Sequence, residues 1–115
     1  MPPRIVDPSS AEHYIWGADC DGWHLVQSPG LSVIAERMPP SRCEQRHFHN
    51  TSRQFFYVLD GELTLEIDGH ELRIAAGQGC EVAPGQPHQA INRGAADVRM
   101  LVISQPPSHG DRHPA

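Results

Sequence analysis

The chain has 115 residues, 14 acidic against 9 basic side chains, a net charge of -5 and 8 histidines. All nine basic residues are arginines, which excludes Schiff-base chemistry, a P-loop phosphate lysine and a lysine general base. The acidic balance argues against a nucleic-acid partner, and no apolar run approaches the roughly 20 residues needed to cross a bilayer.

Taken from the N-terminus, residues 1–22 are polar and proline-punctuated, with Tyr14 and Trp16 at the two-residue spacing of a strand. They read as an N-terminal arm or a dimer-contact strand. From Trp23 to about Gln105 short apolar segments recur, each closed by a turn signal. The segments are Trp23–Gln27, Leu31–Met38, Cys43–Phe48, Gln54–Leu59, Glu62–Ile67, Glu71–Ala75, Cys80–Val82, Pro87–Ile91 and Val98–Ser104. Many short strands with no stretch of 3.6 periodicity predict an all-β antiparallel sandwich or small barrel. Glu62–Ile67 alternates, with Leu63, Leu65 and Ile67 on one face. It is flanked by Asp60-Gly61 and Asp68-Gly69, strong hairpin signals, so three consecutive strands are expected to form a meander. Residues 106–115 lack periodicity and are expected to be a flexible tail. Cys20, Cys43 and Cys80 are odd in number with no CxxC spacing, and Met1 to Pro8 contains no apolar signal core. The expectation is one domain, reduced and cytoplasmic, with thiols mostly serving as core filler.

The histidines carry the chemistry. His47 and His49, at i and i+2 on a predicted strand, project from one face about 7 Å apart, so their imidazoles can converge on a single ion. A third ligand has to come from another strand, and His88, just after the Pro84-Gly85 turn, is the candidate. A lone strand histidine is more often solvated or hydrogen-bonded than metal-bound, but the combination reverses that preference. His70, His109 and His113 read as solvated surface, while His24 lies off these motifs without an assignment.

These two segments resemble the motifs of the cupin superfamily, in particular the small single-domain cupins of the conserved-barrel (cupin 2) type. In the first motif, G(X)5HXH(X)3,4E(X)6G, His47, His49 and Gly61 fit, Ser41 replaces the opening glycine and Gln54 stands where the glutamate ligand is expected. In the second, G(X)5PXG(X)2H(X)3N, Gly77, Gly85, His88 and Asn92 are in register, with Ala83 at the proline position. The resemblance covers Leu31 to about Ser104 and implies a double-stranded β-helix, a jelly-roll barrel with a metal inside its mouth. It also implies one divalent transition metal (Zn, Fe, Ni, Mn, Cu or Co) on His47, His49 and His88, with Gln54 a fourth ligand or a hydrogen bonder to metal-bound water. Small cupins often pair through N-terminal strands, so a homodimer is expected.

With Gln54 inward, strand parity places Phe56 and Val58 inward and Phe55 and Tyr57 outward. Cys43 and Gln45 would share the face of His47, and Ala90 and Asn92 that of His88, giving a pocket of Cys43, Gln45, Phe56, Val58, Ala90 and Asn92. Cys43 reads as an inert buried thiol. Either Glu36 or Arg37 must enter the barrel, and parity alone does not say which. No inward Tyr, Asp or Glu is evident on the motif strands, so no catalytic acid or base is assigned. The expected function is a metal-dependent enzyme, dioxygenase-like or a lyase or isomerase, on a small and possibly anionic organic molecule. The alternative is a non-catalytic module that binds or senses a small molecule or metal. A glutamine in place of glutamate makes the ligand set neutral, which leaves the full charge of an ion to attract an anion.

Overall fold

The computed structural model describes residues 2–115. Eleven strands run in chain order: β1 Glu12–Trp16, β2 Cys20–Ser28, β3 Leu31–Met38, β4 His47–Phe48, β5 Arg53–Asp60, β6 Glu62–Ile67, β7 His70–Ala75, β8 Gly79–Val82, β9 His88–Ile91, β10 Val98–Gln105 and β11 His113–Pro114. There is no helix among the described residues. The strands form two antiparallel sheets, one ordered β1-β2-β3-β10-β5-β8 and the other β11-β4-β9-β6-β7. The all-β reading is therefore the observed one. The alternation that predicted each strand also builds the core. Phe56 and Val58 from β5, Val98, Met100 and Val102 from β10, and Leu63, Leu65 and Ile67 from β6 close the space between the sheets.

Residues 12–22 are not an appendage to this fold. β1 pairs with β2 from Glu12↔His24 to Trp16↔Cys20 and completes the six-stranded sheet, while Trp16 packs on the core and its indole donates to the Asp21 carbonyl at 3.2 Å. The expected meander is corrected as well. β6 and β7 form the Asp68-Gly69 hairpin, with both turn residues at positive φ, but β5 lies in the other sheet between β10 and β8. Asp60-Gly61 is instead the corner where the chain changes sheets. Gly61 has φ 81°, and a Cβ there would fall 2.5 Å from the Asp97 carbonyl oxygen, so the corner demands glycine on two counts.

Two further segments depart from expectation. Only His47–Phe48 of the predicted Cys43–Phe48 strand is regular, with Cys43 making an isolated bridge to Ile91. Residues 106–115 are not a loose tail. β11 pairs with β4 (His113↔Phe48, Pro114↔His47), and the Asp111 carboxylate accepts from the backbone N–H groups of Asn50, Thr51 and Ser52, each at 2.9 Å. His113, expected on solvated surface, keeps a 40% exposed side chain whose ring tilts against Phe48 with centroids 5.2 Å apart.

Candidate metal centre and interior cavity

His47 and His88 are directly opposite on the paired strands β4 and β9, a register that brings cross-strand side chains into contact. His49 follows at the end of β4, where its carbonyl accepts from Gly85 N–H at 2.6 Å, tying the first motif to the turn before His88. The three rings lie with centroids 4.4 to 5.4 Å apart, all three side chains are buried, and one nitrogen from each falls within 4.8 Å of the others. These three residues could hold a metal ion.

Their hydrogen bonds suit that use. The Nδ1–H of His47 donates to the Gln45 carbonyl at 2.7 Å, and that of His88 donates to the Gln86 carbonyl at 2.9 Å. A carbonyl only accepts, so in both rings the proton sits on Nδ1 and the Nε2 lone pair is free. Both nitrogens of His49 are buried with no partner, a cost that bonding to an ion would remove. Burial pushes the His47 imidazolium down to about 4 and lowers His49 and His88 too, so all three rings are neutral at pH 7, the form a metal requires. The donor set fits a divalent transition ion.

Gln54 reaches the same point from the other sheet. It is 7% exposed, its amide nitrogen donates to Ser104 Oγ at 3.0 Å, and its Oε1 lies 3.2 Å from His88 Nε2. Two lone pairs thus face each other, an arrangement that a cation between them would stabilise.

The predicted pocket is corrected. Parity was right for β5, where Phe56 and Val58 point inward and Phe55 outward, but Phe56, Val58 and Ala90 are sealed in the core. Cys43 and Gln45 are exposed, because the chain before β4 is not a regular strand and its alternation does not hold. Asn92 is a structural clamp whose amide donates to the Met38 and Ala96 carbonyls, both at 2.9 Å, while its Oδ1 accepts from Gly94 N–H. None of the six lines the half-open cavity beside β1–β3. That space, about 680 Å³, lies between the inner face of β1–β3, with Glu12, Tyr14, His24, Ser32 and Ile34, and the C-terminal segment Pro107–Arg112.

The fold also half-buries two acids that the sequence did not reveal. Glu36 points inward while Arg37 points out to Asp21 (2.7 Å) and Asp97 (3.1 Å). Both faces of β3 carry apolar residues, so alternation could not decide between them. Burial, reinforced by Glu44, pushes the Glu36 carboxyl up to about 8, and burial pushes Glu44 up to about 7. Tyr14 lies close enough to Glu36 for the two to perturb each other, and burial raises the Tyr14 phenol well above its ordinary value. The signal that could have found the pair is the row Tyr14–Gly22–Glu36 across β1, β2 and β3. A glycine in mid-strand marks a place where something lies flat on the backbone.

The Cupin domain family model matches residues 35–104, and the chain belongs to that family. It is 30% identical over 114 residues, 92% of this chain and 71% of the other, to "Polyketide synthase CurC" of Streptomyces cyaneus. It is 28% identical over 83 residues to "Tetracenomycin polyketide synthase protein TcmJ" of Streptomyces glaucescens, covering 72% of this chain but only 48% of TcmJ. The chain therefore spans about half the length of that relative. Among solved structures, KdgF from Halomonas sp. superposes with a TM-score of 0.84 at 15% identity, over 93% of this chain and 98% of KdgF, a likeness of fold.

Proposed function

We propose that this protein is a metal-dependent cupin enzyme that binds one divalent transition metal through His47, His49, His88 and Gln54 and catalyses a proton-transfer reaction, an isomerisation, cyclisation or elimination, on a small anionic organic molecule. The observation that carries the reading is the convergence of three neutral, buried imidazoles and one amide oxygen on a single point, with the His49 nitrogens otherwise unpaired. A bound ion would supply Lewis acidity toward a ligand oxygen. The neutral ligand set leaves its charge uncompensated, which favours an anionic ligand. Proton transfer is preferred over the dioxygenase reading because the half-buried Glu36 and Glu44 carboxyls are raised to about 8 and about 7, which suits proton exchange near neutral pH. The names of CurC and TcmJ, polyketide synthase proteins, support a small organic substrate.

Elemental analysis of the untagged protein tests the centre. Wild type should carry about one transition metal per chain, and His49→Ala should bind it about tenfold or more weakly, while His70→Ala, on exposed β7, should match wild type. A wild-type protein with no metal and no affinity for Zn, Mn, Fe, Co, Ni or Cu would overturn the proposal.

A further inference from the structure

We propose that the cavity between β1–β3 and the C-terminal segment binds a small organic acid, the Arg112 guanidinium taking its carboxylate and the Tyr14 hydroxyl, backed by Glu36, hydrogen-bonding its other polar end. This deepens the function proposed above by placing its anionic substrate.

Arg112 supplies the charge. Partly solvent-exposed, it lines the cavity, donates one bond to the Gln45 carbonyl at 3.4 Å, and like Arg4, Arg73 and Arg99 pairs with none of the described carboxylates, whereas Arg37, Arg42, Arg46, Arg53 and Arg93 do. Its neighbour Asp111 is spent on the three backbone N–H groups of residues 50–52. The interior carboxyls that feel Arg112 are Glu36 and Glu44. Burial pushes both up, so at pH 7 Glu36 is mostly protonated and Glu44 about half protonated, which weakens their hold on the guanidinium. Glu12 lines the cavity as well.

Tyr14 supplies the other end. Its ring lies across Gly22, where a Cβ would collide with Cζ and Cε1 and come within 2.6 Å of the hydroxyl, so the glycine is what lets the phenol reach Glu36. A protonated Glu36 can donate to the phenol oxygen, which leaves the Tyr14 O–H free for a ligand in the cavity. His24, its ring tilted against Tyr14 with centroids 5.0 Å apart, presents a buried Nδ1 without a partner beside it. The groups facing Glu36 are Tyr14 from β1, Arg112 from the C-terminal segment and Glu44 from the loop before β4.

The probe is L-malate, measured calorimetrically against its uncharged dimethyl ester on the full chain, both as purified and stripped of metal. Malate should bind the metal-free protein, with the ester about tenfold or more weaker. Arg112→Gln and Tyr14→Phe should each lose about tenfold, the scale of one hydrogen bond to a charged or buried partner. Gly22→Ala should reproduce Tyr14→Phe by displacing the ring, with thermal melts confirming that each variant is folded. Malate affinity should fall between about pH 6.5 and pH 9 as Glu36 ionises beside the bound anion, and in Glu36→Gln that part of the fall should vanish. Equal binding of malate and ester, undiminished binding in Arg112→Gln, or a wild-type pH dependence in Glu36→Gln would overturn the proposal. Because the metal-free protein is used, a failure here leaves the metal result standing, and a protein without metal leaves this one standing.

Discussion

Gln54 sits where the family pattern has a glutamate, and its side chain is aimed by a hydroxyl. Ser104, 1% exposed and directly across from it in the β5–β10 register, accepts the amide N–H and so turns Oε1 toward His88. Such supporting contacts fix ligand orientation, and their loss commonly costs about 10- to 100-fold in metal affinity. Ser104→Ala should therefore weaken metal binding on that scale in a chelator competition, although it touches no ion. Gln54→Glu should tighten it by about tenfold or more, because affinity rises with ligand charge. Unchanged affinity in both variants would mean that residue 54 is not a ligand. The three histidines and Gln54 were legible because their spacing in one dimension is the motif. Ser104 was not, because nothing in the run Val98–Ser104 announces which strand it will oppose.

At the scale of elements, punctuation by glycine and proline placed most strands within a few residues but did not say which sheet each would join. Asp60-Gly61 promised a tight turn and delivered one, yet the turn connects two sheets instead of two neighbours, a choice made by β5 pairing with Val98–Gln105 forty residues away. The C-terminal segment was illegible for a different reason. A two-residue strand has no period, and its anchor is a single carboxylate satisfying three loop amides. Those three bonds hold the Asp111 carboxyl far below the ordinary value of 3.8, so their stabilisation is fully present above that pH and fades only as pH falls through the depressed value. Asp111→Ala should remove it at every pH. Amide exchange at Asn50, Thr51 and Ser52 should quicken and limited proteolysis should enter the segment after Gln105, while the wild type stays protected down to about pH 4. Equal protection in the variant would show that β11 pairing alone holds the segment.

For the whole molecule, an interior that holds both neutral imidazoles and neutral carboxyls sets the pH range of the metal-free fold from two sides. Glu36 and Glu44 ionise in the unfolded chain near 4.5 but in the folded one only near 8 and 7. A raised carboxyl pKa means that stability is greatest below the unfolded value and is lost as pH climbs from 4.5 toward 8. His47 works the other way. Its folded value, pushed down to about 4 from 6.5, gives stability present above 6.5 that is lost as pH drops toward 4. Glu36→Gln keeps the shape of the protonated acid and cannot ionise, so it should melt with wild type near pH 5 and at least about 5 °C above it near pH 9, where one pKa unit is worth about 1.4 kcal/mol. Adding Glu44→Gln should widen the gap. The buried acids therefore cost stability at the pH where their protons are most exchangeable, which is the expected signature of groups placed for chemistry and not for packing. A variant that melts with wild type at both pH values would put the Glu36 carboxyl in water and remove it from the site.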